Sequence, residues 1–198
     1  MKVKIKLTEE MLGTANANPE LHREFIASKS ADADKVKEEM EALPAEDLME
    51  KSLTVFPRDS DGTPILYDYQ IKGFVKEAAG VLIEIAGGEE IKVGKTKLTK
   101  FTYKRIVDNY IFIQPRMIRL APVSGVCTRP LRAETMRGER VALASSETVP
   151  TGTEFEIEIQ TLSDTLVDLV KKCLDYGALK GIGQWRNSGK GRFVWQAV

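Results

Sequence analysis

Two short stretches near opposite ends of the chain restrict its fold more than anything else in the sequence. Residues 2–7 alternate Lys2, Lys4 and Lys6 with Val3, Ile5 and Leu7. Residues 153–161 alternate Glu154, Glu156 and Glu158 with Phe155, Ile157 and Ile159. A period of two is that of a strand with one face buried and one wet. Opposite charges directly across a strand pair attract, and like charges repel. If the chain has the βαββαβ order, which places the first strand beside the third, the two stretches lie side by side with the lysine face on the glutamate face, and the opposite charges support that pairing. Such a face is neutralised by its own charges, which makes it a poor platform for stacking bases.

Between and beyond them the pattern changes to a helical one. Ile71, Phe74, Val75, Ala78, Leu82 and Ile85 recur at helical spacing, which predicts an amphipathic helix over 68–86, ended by Gly87 and Gly88. Leu166, Leu169, Val170 and Cys173 form the stripe of a second helix, with Ser163 as its expected cap and Gly177 near its end. A short buried strand is expected at 110–113, stopped by Pro115. Phe193, Trp195 and Ala197 read as one face of a final strand. The arginine-rich text with Arg116, Arg119, Arg129, Arg132, Arg137 and Arg140 reads as hairpins. Residues 8–66 are acidic and short-segmented, with helix starts expected at Thr8-Glu9-Glu10, at Pro19-Glu20 and at Pro44, closing in a turn at 57–64. The order is that of an α+β, ferredoxin-like (βαββαβ, RRM-like) domain over 1–198, elaborated by a β-hairpin and by a helical insertion at 8–66.

Charge and cysteine usage narrow the function classes. The chain of 198 residues balances 29 Lys and Arg against 29 Asp and Glu, so no global positive field favours nucleic acid. The balance is uneven, however: 9 basic against 14 acidic residues in 1–66, and 20 against 15 in 67–198. A localised anion site, or self-association of unlike faces, fits that asymmetry. The lysine run from Lys92 to Lys104 is equally readable as a solvated loop or as a groove. Cys127 and Cys173 are isolated, no apolar run has the length of a membrane span, and residues 1–7 read as a strand instead of a leader. A cytoplasmic protein with reduced thiols, no membrane partner, no cofactor and no metal constellation is the expectation.

The stretch that points to function is 181–193, GIGQWRNSGKGRF, with four glycines, three cations and a tryptophan in thirteen residues. Glycine permits a sharp bend or a close backbone approach, and Arg186, Lys190 and Arg192 suit an anion. A Walker A loop needs four residues between its glycine and its Gly-Lys, then a hydroxyl; here five separate Gly183 from Gly189, and Gly191 stands in place of the hydroxyl. A dinucleotide turn opens a helix after a strand, whereas this loop leaves a helix and enters a strand.

The spacing Gly181-Ile182-Gly183, five residues, Gly189-x-Gly191, then Phe193 resembles the glycine-rich loop of the RAMP superfamily, the RNA-binding backbone and processing subunits of CRISPR systems. Residues 70–76, QIKGFVK, resemble that family's Ser-Leu-Lys-Gly-Ala-Leu-Arg signature, with Gln70 in place of the serine. Residues 149–155, VPTGTEF, are similar to its Pro-x-Gly turn before the third strand. The matches cover 1–7 and 67–198 but not 8–66. In texture the chain is also similar to small phage and prophage proteins.

The resemblance implies a non-catalytic subunit that holds single-stranded RNA or DNA by its backbone, assembling with copies of itself or with other RAMP-type subunits. It implies a backbone contact for Lys72. The expected binding residues are Lys72, Arg129, Arg132, Gly181, Gly183, Trp185, Arg186, Gly189, Lys190, Gly191 and Arg192, with Trp185 stacking on a base. Competing readings stay open. The loop can be a tight helix-to-strand connection with its cations in water, and Trp185 a cap on the core. A RAMP-type endonuclease would use His22 as base, and Asp32 or Asp34 are similar to the loop aspartate of target-cleaving relatives; an exposed helical histidine and an Ala/Ser-rich acidic stretch explain these residues more simply. A phage-borne module that docks on a CRISPR complex by mimicry is the third.

Overall fold

A computed structural model describes residues 1–16, 53–85, 92–93, 96–135 and 138–198, with the backbone alone described for 92, 93, 96, 131–135 and 138–142. In chain order the strands are β1 (Lys2–Leu7), β2 (Met11–Leu12), β3 (Ala15–Asn16), β4 (Leu53–Val55) and β5 (Ile65–Tyr67), then helix α1 (Asp68–Ile85). Two short strands, β6 (Lys92–Val93) and β7 (Thr96–Lys97), precede α2 (Tyr103–Tyr110). There follow β8 (Ile111–Gln114), β9 (Met117–Arg119), β10 (Gly125–Thr135), β11 (Gly138–Val149), β12 (Glu154–Thr161), α3 (Thr165–Asp175) and β13 (Phe193–Ala197).

The main sheet has the order β13-β1-β12-β8, all antiparallel. With α1 after β1 and α3 after β12, this is the ferredoxin-like βαββαβ arrangement. The register of β1 on β12 sets Lys2 opposite Glu158, Lys4 opposite Glu156 and Lys6 opposite Glu154, so the complementary charges do share a face. The lysines lean along the strand: Lys4 Nζ lies 2.6 Å from a Glu154 oxygen, and Lys6 Nζ 3.2 Å from the other. The alternate residues Val3, Ile5, Phe155, Ile157 and Ile159 face inward with Ile111 and Ile113 and are buried. Ile71, Phe74 and Val75 of α1 and Leu166, Leu169 and Val170 of α3 cover them in one core cluster.

A second sheet runs β10-β11-β4-β3, with β2 paired to the end of β11. Its long hairpin, β10 and β11, is inserted between β8 and β12, where the arginine-rich text is read as hairpins. The turn at 57–64 is built on Asp59, whose Oδ1 accepts from the Asp61 and Thr63 amides at 3.0 and 2.9 Å.

Several local expectations differ from the structure. Ile85, expected on the buried stripe of α1, is 74% exposed; Tyr110, expected in a buried strand, ends α2, and Phe112 of that strand faces outward. Thr8-Glu9-Glu10 starts no helix, because the Thr8 and Glu9 amides donate to the Arg192 carbonyl at 2.8 and 3.3 Å and carry the chain into β2. The described ends of 8–66 are strands and turns; the helix starts at Pro19 and Pro44 lie outside the described residues. Helix α2 falls in text read as a basic stretch without an element. It has two buried apolar residues, Ile106 and Val107, and begins in a turn where Thr102 Oγ1 accepts from the Thr99 amide at 2.8 Å. Ser163 bonds Thr165 Oγ1 at 2.9 Å instead of capping α3, whose N-cap is Asp164. Among the described residues no helix is long and apolar enough to cross a membrane.

The Lys4 hydrogen bond, with help from Lys6, holds the Glu154 carboxyl below its ordinary range, and Glu154 raises Lys4 in turn. A depressed carboxyl stabilises the fold above its unfolded pKa, and that contribution disappears as pH falls through the folded value. Lys4→Gln should therefore lower Tm at pH 7, and the difference from wild type should close on acidification below pH about 4. An NMR titration should show the Glu154 carboxyl of the variant moving up; an unchanged titration contradicts the pairing.

Candidate nucleic-acid interface

Helix α3 runs into a 3₁₀ turn at Tyr176–Ala178, and the chain then folds back on itself before entering β13. The Ile182 amide donates to the Gly191 carbonyl at 2.9 Å, and the Gly191 amide to the Glu10 carbonyl at 2.8 Å. Ile182 is buried and pins the loop to the core. Gly181, Gly183, Gly189 and Gly191 all have positive φ. At Gly191, φ is +71° and a Cβ would lie 1.8 Å from the Ile182 carbonyl oxygen; at Gly183, φ is +85° and it would lie 2.8 Å from the Leu12 carbonyl oxygen. Both glycines are thus required by the protein's own backbone, whatever binds outside. Trp185 is the exception among the described residues: a non-glycine residue at φ 54°, a strained conformation that places its ring at the lip of the loop.

The three loop cations have internal partners. Arg186 donates to Glu77 of α1, Lys190 pairs with Glu10, and Arg192 Nε donates to the Leu179 carbonyl at 3.1 Å. The Glu10 hydrogen bond raises Lys190 above its ordinary range. These ion pairs tie the loop to α1 and to the segment before β2, and they neutralise much of its charge. Glu10 and Glu77 went unrecognised in the sequence, being 180 and 109 residues from their partners.

Arg129 is different. It is 7% exposed, donates to Ser146 Oγ at 3.1 Å and to Gln184 Oε1 at 3.0 Å, and lies 5.1 Å from the centre of the Trp185 ring. Its Nε has no partner. Both oxygens are neutral, and among the described residues no carboxylate pairs with it. Glu147, next to Ser146 on β11 and facing the other side of the sheet, is held instead by Arg58 at 2.6 Å and by the Phe56 amide at 2.9 Å. A buried cation without a counter-ion is costly; among the described residues Arg129 has none, and it lies against a tryptophan that is 39% exposed.

A cleft of about 340 Å³ separates the loop from the first turns of α1, lined by Thr14, Gln70, Gly73, Glu77, Gly183 and Arg186. Gln70, the residue that departs from the family signature, closes the start of α1: its Oε1 accepts from the Tyr67 amide at 2.8 Å and its Nε2 donates to Thr14 Oγ1 at 2.6 Å. That reach from the third helical position to the amide before the helix is half of a capping box. Gly73 is exposed in mid-helix, and a Cβ there would meet nothing within 4 Å. Glycine inside a helix destabilises by about 0.5–1 kcal/mol relative to alanine, and nothing in the fold requires it.

Lys72 faces away from this cleft. Its Nζ donates to the Asp108 carbonyl at 2.8 Å and lies 5.0 Å from the Phe112 ring centre. Arg132 stands opposite Val141 in the hairpin, and its side chain is outside the described residues, as are His22, Asp32 and Asp34. The structure therefore brings Arg129 to Gln184 and Trp185 of the glycine loop, whose Gly183 and Arg186 line the cleft, and leaves Lys72 out of that lining. Among the described residues no group of three or more His, Cys, Asp or Glu is placed to hold a metal ion.

No family model and no curated protein matches this sequence. Two solved structures align along nearly its whole length. One is a chain of the cryo-EM structure of the Type III-B Cmr-beta complex bound to cognate target RNA, 11% identical, TM-score 0.49, covering 99% of this chain and 58% of that one. The other is a chain of a Type IV-B CRISPR complex, 10% identical, TM-score 0.47, covering 100% of this chain and 89% of that one. The chain thus spans just over half the length of the first neighbour. A likeness of this degree assigns no residue a role.

Two glycines give opposite expectations. Gly191→Ala should destabilise the fold by about 1–3 kcal/mol or more, from its φ and its contact with the Ile182 carbonyl, whereas Gly73→Ala should stabilise it by about 0.4–1 kcal/mol. Urea melts of the two variants check both signs.

Proposed function

We propose that this chain is a non-catalytic, RAMP-type subunit that holds single-stranded nucleic acid, RNA in the first place, by its backbone. The observation that carries the reading is Arg129: a buried guanidinium that no carboxylate among the described residues pairs with, against the half-exposed Trp185 on the same loop as the cleft-lining Gly183 and Arg186. An incoming phosphate supplies the missing counter-charge, and the free indole face takes a base, a contact worth about 1–3 kcal/mol. Gly73 lets the strand approach the helix backbone along the open side of the cleft. Arg192, which is exposed and among the described residues is held only by a carbonyl, is the loop cation best placed to follow it. Arg186 and Lys190 keep the loop's shape through their ion pairs, and phosphates would have to compete with Glu77 and Glu10 for them. Contacts of this kind position a strand without reading its sequence.

The three sequence matches also support the RAMP reading, because the glycine loop lies between the last helix and last strand and the Lys-Gly signature opens α1. In this reading copies of the chain assemble along the strand, the acidic front of one against the basic back of the next.

Two variants test it by separating binding from stability. Arg129→Met should reduce affinity for a labelled single-stranded RNA at least tenfold while leaving the melting temperature nearly unchanged, since it removes an uncompensated buried charge. Gly73→Gln should weaken binding although it favours the helix. Wild-type affinity in both variants contradicts the proposal.

A further inference from the structure

On the far side of α1 from the glycine loop lies a second concavity, of about 490 Å³, lined by Asp68, Lys72, Phe112, Gln114, Pro115 and Arg116. That volume is within the roughly 300–1,000 Å³ of small-ligand sites. Phe112 belongs to the edge strand β8, where Ile111 and Ile113 point into the core and Phe112 and Gln114 point out. It is 41% exposed, at the border of a sheet face otherwise occupied by lysine–glutamate pairs. An exposed phenylalanine alone means little. Here it has a cation drawn onto it, with Lys72 Nζ 5.0 Å from the ring centre.

The acids around the notch are engaged elsewhere. The Asp108 carboxylate pairs with Lys76 at 2.5 Å, leaving Lys72 only the Asp108 carbonyl. Asp68 lies 3.6 Å from Arg116 and accepts from the Tyr69 amide at 2.8 Å. The Arg116 guanidinium in turn lies 5.1 Å from the Tyr67 ring centre. Lys76 and Arg116 thus take the two carboxylates at the notch, and among the described residues no carboxylate forms an ion pair with Lys72. Burial lowers Lys72 from its ordinary range, consistent with an ammonium partly removed from water and lacking a full counter-charge. Among the described residues, a cation without an ion pair against a half-exposed aromatic ring is also what Arg129 and Trp185 form.

We propose that the notch binds a further nucleotide of the same single strand, its base stacked on Phe112 and its phosphate on Lys72. This rests on the strand-binding reading above: the strand leaves the glycine-loop cleft over the bare backbone of Gly73 and reaches Lys72, the adjacent residue on the helix. Phe112 is then a binding residue that no motif marks, and Gln114 offers an amide to the base edge.

Fluorescence anisotropy with a labelled oligouridylate, on wild type, Phe112→Leu, Phe112→Tyr and Lys72→Gln, tests it. Phe112→Leu keeps an apolar side chain and should weaken binding by about 5- to 150-fold, the loss of one stacked base. Phe112→Tyr should bind like wild type. Lys72→Gln should weaken binding and reduce the salt slope by about 0.7, one single-strand phosphate contact. The notch is refuted alone if Phe112→Leu and Lys72→Gln match wild type while Arg129→Met loses affinity. If wild type itself does not bind, the notch and the strand-binding function fall together.

Discussion

The register of Phe193 on Leu7 is the constraint from which the site follows. Strand β1 is bonded on one side by β12 and on the other by β13, so the end of the glycine loop must emerge beside the segment that leaves β1. That adjacency lets Arg192 accept from the Thr8 and Glu9 amides and lets the Gly191 amide reach Glu10. Two residues on, β2 receives Gly183 against Leu12 and pairs with the base of the long hairpin through Thr148 and Val149. Loop and hairpin are thereby fixed to the same dipeptide strand. Arg129 on the hairpin then meets Gln184 and Trp185 on the loop with no need for a flexible element between them.

The physical picture of binding changes accordingly. Glycine and cation density first suggest a phosphate cradle, yet the tightest glycine positions are filled by the protein's own carbonyls, and two of the three loop cations are held by carboxylates. Around the candidate site, the cations without an ion pair among the described residues include Arg129 against Trp185, Arg192 at the surface, and Lys72 against Phe112. In the proposed function a neutral protein of this design would rely on a few cation–aromatic pairs, each offering charge to a phosphate and a ring to a base. Its affinity should therefore depend on stacking more, and on salt less, than that of a basic nucleic-acid-binding protein.

The frame was legible because its signals are local and periodic. The alternation of Lys2, Lys4 and Lys6 and that of Glu154, Glu156 and Glu158 specify both strands, the ferredoxin-like order gives their pairing and the charges support it, and the stripe of Ile71, Phe74, Val75 and Ala78 specifies α1. Helix α2 was not, since two buried residues on one short turn give no periodicity and its start is a threonine turn in lysine-rich text. The site was half legible. Glycine spacing located the loop, but the ion pairs of Glu10 and Glu77 join residues far apart in the chain. Whether a cation is paired is decided by tertiary contact, and composition cannot report it. Phe112 carried no signal as anything beyond a strand residue; its meaning comes from Lys72 reaching across the sheet edge.

The central claim is that a chain of zero net charge binds single-stranded nucleic acid through a few uncompensated cations. A salt titration of the wild-type protein with labelled single-stranded RNA tests it most directly. With two or three phosphates neutralised, log affinity should fall against log salt with a slope of about −1.4 to −2.1. Absence of binding at the lowest salt, in protein purified free of nucleic-acid absorbance, would contradict the account.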